Sequence, residues 1–372
     1  MASVQRASVR EDAVPSAGVP VSSSASPPSA DGRTTAARHW PRLAAGTDPH
    51  VPPVAATPAC WTLTEGAAGM VSQVTGLALA IGFPSEHRQV EMRWPFSTMW
   101  PGFLPRWNGI FKDRSLVEPA APPRLVVSCG RLGSAASLAL KRRYGPRVFT
   151  VHIQDPKVPT SWFDLIVAPA HDGLRGANVV HSLGAVHHVT QGRLSEASER
   201  GRTPGMHMLA DRFVGVILGG PNRYYGYTPA DVRCLINRLQ AVVAAHQVQL
   251  AIVPSRRTPE RVLAPLQSAF GAEHFVWDGQ GENPYLTVLA LSSHLIVTGD
   301  SVSMVSEAAA TCKPVHVFHL TEQRAARRFR RFHDSFENAG VTRVFRGRLE
   351  DWTYVSPDRT GLIATLIHEH LR

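Results

Sequence analysis

Apolar positions along this chain follow two alternating periods. Short runs of β-branched and aliphatic residues, apolar at every position, are separated by stretches whose apolar residues recur every three to four positions. The first period predicts strands at residues 125–128, 148–153 and 165–168, with a helix at 134–144 between the first two. A second series predicts strands at 213–218, 250–253, 274–277, 295–298 and 315–318, separated by helices at 229–246, 259–270, 284–292 and 302–311. Strands that alternate with helices pair in parallel, because each crossover must return the chain to the same sheet edge, and the crossovers are right-handed.

Residues 193–212, with Gly201, Pro204 and Gly205 among charges, interrupt the alternation and read as an interdomain linker. The expected fold is α/β, two Rossmann-like doubly wound domains over 58–200 and 206–356. The last helix, 357–372, is expected to return across the first domain. Residues 1–57 are rich in Ala, Ser, Pro and Val without either period, so they predict a disordered tail. Glu11, Asp12, Asp31 and Asp48 argue against an organelle transit peptide there.

Composition narrows the class. With 372 residues the chain is long enough for two cores, and 44% hydrophobic against 18% charged residues is a globular balance. No apolar run reaches the roughly 18 residues that span a bilayer. Cys60, Cys129, Cys234 and Cys312 are widely spaced, which reads as reduced thiols in a cytoplasmic setting. A formal charge of +10 favours an anionic partner: a nucleotide, an acidic lipid surface or nucleic acid.

Open parallel sheets bind ligands beyond the carboxyl ends of their strands, so the residues after each strand are the candidates. Gly299, Asp300, Ser301, Ser303 and Met304 end one strand and open an Ala-rich helix. The free N–H groups and positive dipole of its first turn suit a phosphate. Glu307 lies one turn further on the same face, where it could accept bonds from ribose hydroxyls. Gly219, Gly220, Asn222 and Arg223 follow the first strand of that domain, and Ser255, Arg256 and Arg257 follow the next, bringing two guanidiniums. Singly, each has a plainer reading as a cap, a turn or a surface charge. Three such loops at strand ends of one domain favour a phosphate-bearing ligand, with no cofactor and no nucleic acid expected. In the first domain Asp155, His171 and Asp172 follow strands and are the candidate general bases for an acceptor hydroxyl. They also suit ordinary turns.

No histidine spacing, including His187-His188 and His316 with His319, gathers a zinc ligand set, so no metal is predicted. Helical spacing puts Arg324, Arg327, Arg328 and Arg331 on one face and Phe329, Phe332 and Phe336 broadly on the other. That pattern fits a surface helix burying its rings better than an anionic-membrane helix.

Three long segments, taken in order, resemble a known family: 163–179, with Phe163-Asp164-Leu165 and His171-Asp172-Gly173; Ser255-Arg256-Arg257-Thr258-Pro259; and 299–308. They are similar to the elongated-mitochondria, or mitochondrial fission ELM-type, family over about residue 61 to the end. In plants the resemblance implies a protein on the mitochondrial outer surface that recruits a dynamin-related GTPase, an adaptor reading. For bacterial members it implies a role related to nucleotide-sugars. The helix from Ser303 to Glu307 also looks like the donor-binding helix of GT-B glycosyltransferases, which implies a GT-B-like arrangement of the two domains and a nucleotide-sugar as the substrate held there. Localisation is expected to be cytoplasmic and membrane-peripheral, or the mitochondrial outer surface in a eukaryote. Two positions depart from the family pattern. Met70 stands where a histidine follows the Trp61-Thr62-Leu63-Thr64-Glu65-Gly66 opening, and Cys312 stands where Gly precedes Lys313-Pro314. Both replacements imply weakened or lost activity, and Cys312 puts a Cβ at a helix end that favours glycine.

Overall fold

The computed structural model describes residues 59–371, apart from the side chains of Ala68 and His171. The tail expected over 1–57 lies outside the described residues.

The first half holds β1 (Cys60–Thr64), α1 (Ala68–Ile81), β2 (Ser85–Gln89), β3 (Leu125–Cys129), α2 (Gly130–Tyr144), β4 (Phe149–Ile153), β5 (Leu165–Pro169) and β6 (Val179–Ser182). Its six strands lie in the order β2-β1-β3-β4-β5-β6, with every pair parallel. Alternate side chains leave opposite faces of the sheet. Leu125, Val127, Val151 and Val167 pack under α1, whereas Trp61, Leu63 and Val126 pack against α2.

The second half holds α3 (Gln191–Arg200), β7 (Phe213–Leu218), α4 (Pro229–His246), β8 (Gln249–Pro254), α5 (Glu260–Phe270), β9 (Phe275–Val276), α6 (Tyr285–Leu291), β10 (His294–Thr298), α7 (Val302–Ala309), β11 (Val315–Phe318), α8 (Arg327–Asn338) and β12 (Thr342–Val344). The order β12-β11-β10-β7-β8-β9, again all parallel, is the Rossmann order, with strand direction of travel reversing between β7 and β10. Phe213 and Ile217 face one core, Val214, Val216 and Leu218 the other. Helix α4 starts with a full capping box, in which Thr228 and Asp231 satisfy each other's backbone N–H.

The final helix, α9 (Thr360–Leu371), returns to the first sheet. Ile363, Ala364, Ile367 and Leu371 fill the core beneath α1, and the Arg124 guanidinium donates to the Leu371 carbonyl at 3.0 Å. Two doubly wound parallel sheets, the second followed by a helix that returns to the first, make up the described fold. Among the described residues no helix is long and apolar enough to cross a membrane.

The linker expected at 193–212 differs from what the structure holds. Residues 191–200 form α3, and Val189, Leu194, Met206 and Leu209 are buried in the second sheet's core with Phe213. Apolar residues sparse in sequence are sufficient here because only one narrow stripe of α3 is covered. The chain therefore passes between the sheets earlier, near residues 183–188. Helix α8 buries Phe332 and Phe336 and leaves Arg327, Arg328 and Arg331 exposed, whereas Arg324 lies in the turn before it rather than on the predicted helical face. Arg328 is committed to an ion pair with Asp172 at 2.8 Å, so the arginine face is joined to the first half of the chain.

Two predictions follow from local physics. Cys312 adopts φ +58°, left-handed backbone in which a Cβ is strained. Cys312→Gly should raise stability by about 1 kcal/mol, read as a higher melting temperature; a lower one would refute the strain. Burial pushes His152 down to about 3 and His316 down to about 4. Imidazoles of the unfolded chain titrate near 6.5, so below that pH the unfolded state takes up protons first and stability is lost as pH falls toward the folded values. Each should cost about 2 kcal/mol by pH 5. His152→Asn should flatten the fall in melting temperature between pH 7 and 5, and an unchanged slope would exclude His152 as a source.

Candidate functional site

Where β7 and β10 part, their strand ends are locked together. The Gly219 N–H donates to Thr298 Oγ1 at 2.8 Å, and the Gly220 N–H donates to Asp300 Oδ2 at 2.9 Å. Asn222 Nδ2 donates to the Asp300 carbonyl at 2.9 Å, while its Oδ1 accepts from Tyr224 and Tyr225 N–H. Thr258 Oγ1 closes the loop from the β8 side by donating to the Gly219 carbonyl at 2.6 Å. The two glycines are required by close approach: a Cβ would stand 2.1 Å from Asp300 Oδ2 at Gly219 and 2.4 Å from Arg257 Cβ at Gly220.

The predicted residues of these loops thus converge, but not all are open to the crevice. The Gly219 and Gly220 amides are spent on internal bonds rather than left open to a phosphate. The Asp300 carboxyl is buried, which pushes its pKa up, and hydrogen bonds and Arg257 only partly offset this. Its Oδ1 has no hydrogen-bond partner. Asp300 therefore ties two loops together beneath the crevice. Ser255 Oγ is turned toward Thr258 Oγ1 at 3.1 Å.

What the crevice presents outward is cationic. Arg223, Arg256 and Arg257 are exposed, and Arg256 and Arg257 have no carboxylate within salt-bridge distance among the described residues. Ser301 caps α7 by accepting from the Met304 N–H at 3.4 Å, leaving the remaining first-turn N–H groups of Val302 and Ser303 at the helix's positive end. Ser303 Oγ stands 3.7 Å from where a Cβ on Gly69 would lie. Gly69 is in the first turn of α1, whose start has no side-chain cap, so two helix N-termini from the two sheets meet across the cleft.

Glu307 is buried in this seam, and both of its oxygens are occupied. Tyr285 OH donates to Oε2 at 2.6 Å, and Ser72 Oγ donates to Oε1 at 3.1 Å. His188 Nδ1 lies 3.1 Å from Ser72 Oγ and 3.9 Å from Glu307 Oε1. Burial lowers the His188 pKa, although Glu307 works against this, so the ring is neutral at neutral pH. Ser306 Oγ accepts from the Ala185 N–H at 3.0 Å, a further bond between the halves of the chain.

The candidate bases of the first sheet do not gather at the cleft as free carboxylates. Burial raises the Asp155 pKa, but the bonds and charge of Lys157 outweigh it, leaving the acid below the usual range and closed into a local turn. Asp172 accepts from Arg328. The His171 side chain lies outside the described residues. Sequence reasoning missed Ser72, His188 and Tyr285 as members of the network; only the adjacent His187-His188 pair gave a signal. Glu65 accepts from the Arg131 N–H at 2.8 Å and so caps α2. The Met70 sulfur stands beside Gly130 next to that carboxylate, 2.7 Å from where a Cβ on Gly130 would lie. Among the described residues no three His, Cys, Asp or Glu side chains are placed to hold a metal ion.

A family model described as Mitochondrial fission ELM1 matches residues 68–371. The chain is 24% identical over 350 residues to an uncharacterized protein, RP120, of Rickettsia prowazekii, covering 82% of this chain and 97% of that protein. It is 28% identical over 277 residues to the mitochondrial fission protein ELM1 of Arabidopsis thaliana, covering 67% of this chain and 64% of that one. Among solved structures it is similar to a putative UDP-N-acetylglucosamine 2-epimerase of Listeria monocytogenes, with TM-score 0.46, 12% identity and coverage of 84% and 90%. It is also similar to MurG of Acinetobacter baumannii, with TM-score 0.44, 10% identity and coverage of 84% and 91%.

Tyr285→Phe deletes the 2.6 Å bond to Glu307 with little change of shape. It should destabilise the protein by about 1–3 kcal/mol, because the carboxylate stays buried with one bond fewer. An unchanged melting temperature would mean that Ser72 and His188 hold Glu307 without it.

Proposed function

The chain belongs to the mitochondrial fission ELM1 family, and on that premise we propose that the crevice beyond β7 and β10 binds the diphosphate of a nucleotide-sugar. The observation that carries the reading is the meeting of two helix N-termini, at Gly69 and Ser303, with Arg257 packed on Gly220 and near Asp300 at the neighbouring strand end. Aligned peptide dipoles and unpaired N–H groups attract negative charge, and the planar guanidinium suits a phosphate's paired oxygens. In this reading the first turn of α7 and Ser303 take one phosphate and Arg256 the other. A ribose hydroxyl reaches Glu307 Oε1 by replacing Ser72. If the bound sugar is transferred, His188 is the neutral group in the seam suited to accept the acceptor hydroxyl's proton.

A second reading, a scaffold that recruits a protein partner without chemistry, is favoured by one observation. Asp155, Asp172 and Glu307 are each engaged with other side chains of the protein.

The two readings separate in a thermal-shift panel of UDP, GDP, ADP and CMP with their sugar conjugates. A ligand at one hundred times its Kd stabilises the native state by about 2.7 kcal/mol, a rise of several degrees. One nucleotide diphosphate should raise the melting temperature of the wild type, and the rise should shrink at least by half in Arg256→Glu. No shift at millimolar ligand would overturn the binding proposal and leave the scaffold.

A further inference from the structure

The exposed aromatic rings of this protein are not scattered. Among the described residues every exposed Trp, Phe or Tyr belongs to the elements that cover α2: Trp94 (82% exposed), Trp100, Phe103 (77%) and Trp107 (61%) on the segment packed against that helix, and Trp162 on a pocket wall beside its last turns. Single exposed apolar residues need no explanation, but five large rings on the elements around one helix do. Four of them ride on the segment after β2, which is firmly built beneath them. Met92 pairs with Phe111, and Met92, Ile110, Phe111 and Leu116 are buried against α2. The Arg131 guanidinium donates to the carbonyls of Met99 at 2.7 Å and Ser97 at 2.5 Å. Gly109 leaves room for the Trp107 ring, which lies 2.1 Å from where a Cβ would be. The rings are thus presented outward on a braced segment.

The same segment and the last turns of α2 enclose an open pocket of about 740 Å³, within the range of small-molecule sites. Its walls include Leu104, Leu138 and Trp162, and its charges are Arg106, Lys141, Arg142 and Arg143. Lys141 is paired with Asp164 at 2.7 Å, and Arg143 stands 3.8 Å from Glu118. Arg106 and Arg142 have no carboxylate within salt-bridge distance among the described residues. Both line the same pocket, and burial, with the nearby charge of Arg106, lowers the Arg142 pKa. Two guanidiniums facing one another at an apolar wall are stable together when an anion sits between them.

We propose that this face seats on an anionic phospholipid bilayer, with a lipid phosphate held between Arg106 and Arg142 and Trp94, Trp100, Phe103 and Trp107 lying at headgroup depth. Indole rings partition to that depth because they are large and apolar yet carry an N–H, and basic residues beside them are drawn to an acidic leaflet. The residues between the rings, Gly102, Leu104, Arg106 and Asn108, line a basic pocket rather than an apolar groove, which suits a fluid interface better than a complementary protein surface. The site is separate from the crevice beyond β7 and β10 and does not depend on the nucleotide reading.

The test is co-sedimentation of the full chain with phosphatidylcholine vesicles, with and without phosphatidylglycerol, alongside quenching of tryptophan fluorescence by brominated phosphatidylglycerol. The protein should bind the anionic vesicles, bind neutral ones weakly, and be quenched. Partitioning should fall about tenfold or more in Arg106→Glu with Arg142→Glu, and in Trp100→Ala with Trp107→Ala. Both pairs are exposed, so melting temperatures should match the wild type and exclude misfolding as the cause. Absence of vesicle binding, or binding equal in both double variants, would overturn the proposal. So would release by inorganic phosphate without any quenching, which would make the pocket a site for a soluble anion.

Discussion

The arrangement of this protein depends on one buried carboxylate. Glu307 accepts from Tyr285 within the second half of the chain and from Ser72 in α1 of the first. An anion withdrawn from water is tolerable only when hydrogen bonds replace its hydration, and the replacements here come from opposite sides of the cleft. The two sheets are therefore held in the relation that completes the shell of Glu307. The neighbouring contacts, Arg328 to Asp172 and Ala185 to Ser306, reinforce the same seam.

That constraint explains why the cleft has two characters. Toward the strand ends it is polar but internally satisfied, with Asp300, Thr298, Asn222 and the Gly219-Gly220 turn bonded to one another. Toward the outside it is cationic, with Arg257 near Asp300 just before α7 and Arg256 exposed on the same loop. Rigidity below and open charge above suit preorganised anion binding, since the positive groups stand on a floor that does not rearrange.

Much of the second half was legible in the sequence because its strands are buried on both faces and read as continuous apolar runs. Phe213–Leu218 and Val315–Phe318 are where periodicity put them. Elements that escaped notice had physical reasons to. Ser85–Gln89 is a polar edge strand, covered at alternate positions only. Ala68–Ile81 lacks a polar face because the sheet lies on one side and α9 on another. Gln191–Arg200 buries only Leu194 and Ala197. For the site, Ser301, Ser303 and Arg256 could be picked out because strand ends are informative in this fold class. Glu307 was visible as a residue but its role was not. Ser72, His188 and Tyr285 meet it only through tertiary structure, and no local pattern encodes that meeting.

The returning helix gives the molecule an unusual order of assembly. Domains ordinarily close in the order they leave the ribosome. Here the core beneath α1 needs Ile363, Ile367 and Leu371, which are made after the whole of the second sheet, and that sheet is drawn from one uninterrupted stretch. The half synthesised second has all its parts first, and the half synthesised first waits with an uncovered apolar floor until α9 emerges. A chain cut before Thr360 would therefore injure the half of the fold that lies furthest from the cut in sequence.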